Sequence, residues 1–151
     1  MTEIRRCSIA GVPPARVWAL LLDVGQLEAW SPSTTAVEGP AQLSGVGDQF
    51  TQTVVVAGRS FSSRWRVERF EPERRIALSG KLLPGVSVEM DETLAEHAGG
   101  TEVCLTMRYK MPFGPVGRLA GRLGLAARAG AEAQQVLEQI VRAAEREPAV
   151  A

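Results

Sequence analysis

Between residues 50 and 110, apolar and polar positions alternate with a period of two, which predicts a succession of β-strands. Phe50, Gln52, Val54 and Val56 fall on one face of the first strand, and Ala57-Gly58-Arg59 turns the chain back. Phe61, Ser63, Trp65 and Val67 share a face of the next strand, with Arg64, Arg66 and Glu68 on the other. Glu71-Pro72-Glu73 reads as the following turn, and Arg75 to Ser79 as a short strand. Val86, Val88, Met90, Glu92 and Leu94 then oppose Ser87, Glu89, Asp91 and Thr93. After a hairpin loop at His97-Ala98-Gly99-Gly100, Val103, Leu105, Met107 and Tyr109 alternate with Glu102, Cys104, Thr106 and Arg108. One apolar and one charged side per strand describes an antiparallel sheet with one face buried and one wet.

Before this run, Glu3 to Ala10 alternates weakly and predicts a strand, ended by Gly11-Val12-Pro13-Pro14. Pro14 suits the first turn of a helix, where its missing N–H is not needed. Val17, Trp18 and Leu20 to Leu22 form the apolar side of that helix, and Val24, Leu27 and Trp30 that of a second short one. Ser31-Pro32 closes it, because a residue before proline is pushed out of the α region. Beyond Pro115 the period lengthens to 3.6: Val116, Leu119, Ala120, Leu123, Ala127, Ala131, Gln134, Leu137, Ile140, Val141 and Ala144 form one stripe. A helix of about 30 residues would be about 45 Å long. The predicted architecture is α+β: a strand, two short helices, about six strands and a long helix, in a single domain over 1–147 with a frayed tail at 148–151.

Composition narrows the function. The chain has 151 residues, with 17 Lys+Arg against 17 Asp+Glu, so its formal net charge is zero. Neither nucleic acid nor an anionic membrane is then an expected partner. One histidine, His97, and two cysteines, Cys7 and Cys104, exclude Cys/His zinc sites, so no metal and no cofactor is expected. No run approaches the ~20 apolar residues of a membrane span, and residues 1–6 carry no apolar signal region. The expectation is a cytoplasmic chain, monomer or homodimer, in which Cys7 and Cys104 are two reduced thiols.

A sheet with one apolar face needs a cover, and the long helix is the only element large enough. The wedge between them is either filled core or a pocket. Its expected sheet-side lining is Phe50, Gln52, Val54, Trp65, Val67, Met90, Glu92, Leu105 and Met107, with Leu123 and Ala127 from the helix and Trp30 near the mouth. Gln52 and Glu92 stand out, because an unpartnered polar group on a buried face costs roughly 2–7 kcal/mol. Glu92 and the sole tyrosine, Tyr109, are the candidate catalytic groups, although no recognisable catalytic motif accompanies them. Trp65 should point inward, toward the helix between Leu119 and Ala131. Arg118, Arg122 and Arg128 read as a solvated helix face or as a basic rim.

Several stretches resemble landmarks of a known superfamily. These are Pro13-Pro14-Ala15-Arg16-Val17-Trp18 with Leu21-Leu22-Asp23, Leu27-Glu28-Ala29-Trp30-Ser31-Pro32, Gly47-Asp48, Trp65-Arg66-Val67, Phe70 to Ile76, and Gly100-Thr101-Glu102-Val103. In this order they resemble the SRPBCC or START-like superfamily, with its helix-grip fold shared by polyketide cyclases and lipid-transport proteins. The resemblance implies about seven antiparallel strands curved around the C-terminal helix. It also implies binding of a hydrophobic small molecule, lipid, polyketide or isoprenoid-like. A polyketide aromatase/cyclase or dehydratase, or a partner-protein regulator with a filled cavity, are the alternatives it leaves open.

Overall fold

The computed structural model describes residues 2–31, 33–56, 58–83, 86–110 and 125–146. Seven strands form one antiparallel sheet: β1 (Thr2–Ala10), β2 (Thr34–Glu38), β3 (Gln49–Val56), β4 (Arg59–Glu71), β5 (Arg75–Leu83), β6 (Val86–His97) and β7 (Gly100–Lys110). Their spatial order is β1-β7-β6-β5-β4-β3-β2. Strands β2 to β7 follow one another as consecutive hairpins, and β1 closes the sheet by pairing with β7. The β6–β7 turn is Ala98-Gly99, both with positive φ, the two-residue geometry whose twist matches the flanking strands.

Among the described residues the α-helices are α1 (Pro14–Leu22), α2 (Leu27–Trp30) and α3 (Leu125–Arg146). Pro14 stands in the first turn of α1, and Asp23 ends it. The Asp23 carboxylate then accepts the Gly25 N–H at 3.1 Å, which opens the 3-10 turn Val24–Gln26 and redirects the chain into α2. Helix α3 packs on β1, β7, α1 and α2. Its buried row is Gly130, Ala133, Val136, Leu137, Ile140, Val141 and Ala144. Burying side chains such as Leu137 and Ile140 stabilises the fold by about 1.5–3 kcal/mol each.

The strand parities hold. Ser63, Trp65 and Val67 are buried on β4 while Ser62, Arg64, Arg66 and Glu68 are exposed. Three details differ from expectation. Strand β2 lies in a polar stretch whose side chains are mostly exposed, so its alternation carries little signal. Strand β5 runs on past Ser79, through Gly80, to Leu83. Ala131 is exposed rather than part of the helix stripe, because the buried row advances through Ala133 and Val136 instead. Residues 116–124, with the first part of the expected long helix, lie outside the described residues.

The expectation of two reduced thiols is also corrected: Cys7 and Cys104 are joined by a disulfide. They are direct cross-strand partners in the β1–β7 register, with Cα atoms 4.1 Å apart, close enough for the bond to form. The bridge sits on the outer face of the sheet, since Val103 and Leu105, the neighbours of Cys104 on β7, point into the core. Residues 97 apart in sequence are thereby tied at the one strand pair that is not a local hairpin.

Candidate functional site

Two adjoining lobes open between the inner sheet face, α2 and α3, with volumes of about 50 and about 100 Å³. They share Ser31, Gln52, Trp65, Met90 and Val136. The smaller lobe reaches Trp30, Phe50 and Glu92, beneath Leu27 and Leu43. The larger reaches Val54, Leu105, Met107 and Tyr109, facing Glu132 and Ala133 of α3. Both walls are mostly apolar, and together the lobes fall below the roughly 300 Å³ at which drug-sized ligand pockets begin.

Most of the expected residues converge here. Trp30, Phe50, Gln52, Val54, Trp65, Met90, Glu92, Leu105 and Met107 all line one lobe or both. Val67 does not. It is fully buried near the far end of β4, where its backbone bonds to Gly47 and Asp48, and it serves the core. Leu123 lies outside the described residues, as do Leu119, Arg118 and Arg122 and the side chains of Ala127 and Arg128. Trp65 does point inward, and Glu132, Ala133 and Val136 of α3 share its cleft; of the stretch from Leu119 to Ala131, residues 119–124 and the side chains of 125–129 lie outside the described residues. Trp30 is a buried part of the wall, and its indole Nε1 has no partner among the described residues.

Polar groups on this apolar face are arranged as a chain. Trp65 Nε1 donates to Gln52 Oε1 at 2.9 Å, Gln52 Nε2 donates to Thr34 Oγ1 at 2.6 Å, and Thr34 Oγ1 donates to Ser31 Oγ at 2.8 Å. All four side chains are buried. Glu92 stands apart, only 3% exposed and without a hydrogen-bond partner among the described residues. Desolvation, with a smaller contribution from the neighbouring Asp91 charge, pushes its carboxyl up to about 8, so it is held protonated at neutral pH. Asp91 itself faces the opposite side of the sheet, gripped in a bidentate pair by Arg75.

Across the larger lobe, the Tyr109 hydroxyl contacts Met107 Sδ at 3.5 Å. Burial, and secondarily the Glu132 charge, raise its pKa well above the ordinary phenol value, so it remains a neutral donor. Glu132 accepts a hydrogen bond from Ser33 Oγ. The two candidate catalytic groups are therefore in one cleft but in different lobes, Glu92 in the smaller and Tyr109 in the larger.

Sequence reasoning missed Ser31, Thr34, Glu132 and Val136. Ser31 and Thr34 lie in a polar segment that reads only as a helix stop, and nothing in the pattern marks them. Glu132 could have been found, because it precedes Val136 by four residues and so shares its helix face.

The family model for polyketide cyclase/dehydrase and lipid-transport proteins matches residues 1–145. The chain belongs to this family. Its fold recurs in solved structures of low sequence identity. The Zhui aromatase/cyclase from Streptomyces sp. R1128 superposes with a TM-score of 0.82 at 22% identity, covering 96% of this chain and 94% of that one. Protein CV1439 from Chromobacterium violaceum gives 0.75 at 18%, covering 96% and 98%. Ara h 8.0201 gives 0.73 at 12%, covering 97% and 99%. No curated protein matches the chain. Polyketide cyclase/dehydrase and lipid-transport relatives share the helix-grip architecture, and in this member its sheet and helix enclose the two lobes. Among the described residues no helix is long and apolar enough to cross a membrane.

Proposed function

We propose that the chain binds a hydrophobic small molecule in the cleft between the sheet and α3. One observation carries the reading: Glu92, buried and without a hydrogen-bond partner among the described residues, faces open space on a mostly apolar wall. A purely structural core has no reason to keep a carboxyl there, given the cost of burying it. Membership of a polyketide cyclase/dehydrase and lipid-transport family agrees with such a ligand. The lobes are small, so in this arrangement they suit a compact ring or a short branched chain, a fragment of a polyketide or isoprenoid, rather than a long acyl lipid. Among the described residues the exposed large apolar side chains, Ile9, Val46 and Val55, are scattered over β1, the turn before β3 and β3, which gives a partner-regulator reading little support.

A second reading, cyclase or dehydratase activity, is favoured by the protonated state of Glu92 at neutral pH, since these reactions need a positioned proton donor. The structural neighbour named an aromatase/cyclase agrees with it. In that reading Glu92 donates the proton, and Tyr109 orients the substrate from the larger lobe.

Native mass spectrometry of the purified protein, together with titration of an environment-sensitive apolar dye, tests the binding reading. A copurifying small molecule, or saturable dye binding weakened by Ala133→Phe, is expected. No bound species and no saturation would overturn it. Turnover of a polyketide substrate that survives Glu92→Gln and Tyr109→Phe would remove both residues from any catalytic role.

A further inference from the structure

The hydrogen-bond chain in the cleft has a fixed direction. The indole N–H of Trp65 can only donate, so it sets the Gln52 amide with Oε1 toward Trp65 and Nε2 toward Thr34. The Thr34 oxygen receives that N–H, and its own proton goes to Ser31 Oγ. Ser31 is thus an acceptor within the chain, and its hydroxyl proton is left over. Among the described residues no acceptor takes it, and Ser31 lines both lobes.

Glu92, on the wall of the smaller lobe, offers a second unpartnered donor while it is protonated. The charges around the cleft point the same way. Asp23, Glu92 and Glu132 contribute carboxyl groups, and among the described residues no Arg, Lys or His lines either lobe. A carboxylate or phosphate ligand would meet these acidic groups with no cation among the described residues to offset them. An ammonium placed at the junction would meet the Ser31 and Glu92 donors, where it needs acceptors, and the Glu132 carboxylate is already engaged by Ser33. The two lobes between them offer about the space of an engineered apolar cavity of ~150 Å³ that takes up benzene.

We infer that the cleft selects an uncharged one-ring compound bearing an acceptor oxygen, a ketone or ester carbonyl, with Ser31 and Glu92 as its two specificity-determining donors. The ring occupies the larger lobe, against Val54, Leu105 and Val136. The oxygen points to the junction, where Ser31 and Glu92 border the same space. This inference rests on the cleft-binding reading above and deepens it.

Four probes of one size separate the possibilities: cyclohexanone, methylcyclohexane, cyclohexylammonium and cyclohexanecarboxylate, each titrated into the full chain and followed by ligand-detected NMR and tryptophan fluorescence. The wild-type protein is expected to bind the ketone and the hydrocarbon saturably, and the two ions at least tenfold more weakly than the ketone. In Ser31→Ala, and separately in Glu92→Met, the ratio of ketone to hydrocarbon affinity should fall about fivefold to tenfold, the effect of losing one neutral hydrogen bond. Tighter binding of either ion than of the ketone overturns the inference, and this arm needs no variant. Hydrocarbon binding with an unchanged ratio in both variants also overturns it and leaves the cleft-binding reading intact. No binding of any probe overturns that reading itself.

Discussion

Glu92 makes the stability of this chain depend on pH in a direction opposite to that of most carboxylates. Its folded-state pKa, about 8, lies above the model-peptide value of 4.5, so between these pH values the folded chain holds a proton that the unfolded chain has released. Stability is therefore greatest below about pH 4.5 as far as this group is concerned, and falls as pH rises toward 8. By pH 7 the loss amounts to roughly 3 kcal/mol. Glu92→Gln removes the titration, so the variant should match the wild type near pH 4.5 and exceed it in urea-unfolding stability at pH 7 to 8. Parallel profiles for the two proteins would place the Glu92 carboxyl in water. Gly80 supplies a second test at this scale. It is the cross-strand partner of Trp65, and a Cβ built there would lie 2.8 Å from the indole Cδ2 and Cε3 atoms. The indole lies over β5 because that position has no side chain. Gly80→Ala should cost about 1–3 kcal/mol and shift the tryptophan emission as the ring is displaced. A neutral substitution with unchanged emission would put the ring elsewhere.

At the level of elements, the strands with clear alternation were legible, and those shaped by a neighbour were not. Strand β4 was readable from parity, because a one-residue slip would have buried Arg64, Arg66 and Glu68. The sequence pattern predicts a short strand that ends at Ser79, whereas β5 continues through Gly80 to Leu83. The reason for Gly80, a large ring on the next strand, is not written locally. The apolar side of the cleft was legible for the same parity reason, and the direction of its hydrogen-bond chain was not, because Thr34 and Ser31 meet Gln52 only through the β2–β3 pairing. The disulfide belongs with this second group, for two cysteines 97 residues apart become neighbours only through the β1–β7 register. Closing so long a loop stabilises a fold by about 4.7 kcal/mol in the chain-entropy account, and by 2–4 kcal/mol in typical cases. Reduction with dithiothreitol should lower the urea midpoint correspondingly, with Cys7→Ser as a control that no longer responds to reductant. An equal midpoint with and without reductant would mean that the bridge is not closed in solution.

For the whole molecule, the same bridge spans the one place where the topology is not local. Strands β2 to β7 pair as consecutive hairpins, each closing a short loop, while β1 must find β7 across nearly the entire chain. Loop closure at that length costs about 4 kcal/mol beyond a constant, and it must be met before the β1–β7 contacts and the packing of α3 on β1 repay it. That pairing also completes the wall of the cleft, because Leu105, Met107 and Tyr109 lie on β7 between β1 and β6. With the disulfide intact, the unfolded chain already holds the two strands together. Refolding from urea should then be faster for the oxidised chain than for the reduced one, by tenfold or more if the pairing forms in the transition state, with little change in the unfolding rate. Stopped-flow tryptophan fluorescence on both forms reads this directly, with Trp65 and Trp30 as the reporters inside the cleft. Equal refolding rates with slower unfolding of the oxidised form would instead place β1 docking after the barrier, and the hairpin array from β2 to β7 would then be the folding nucleus.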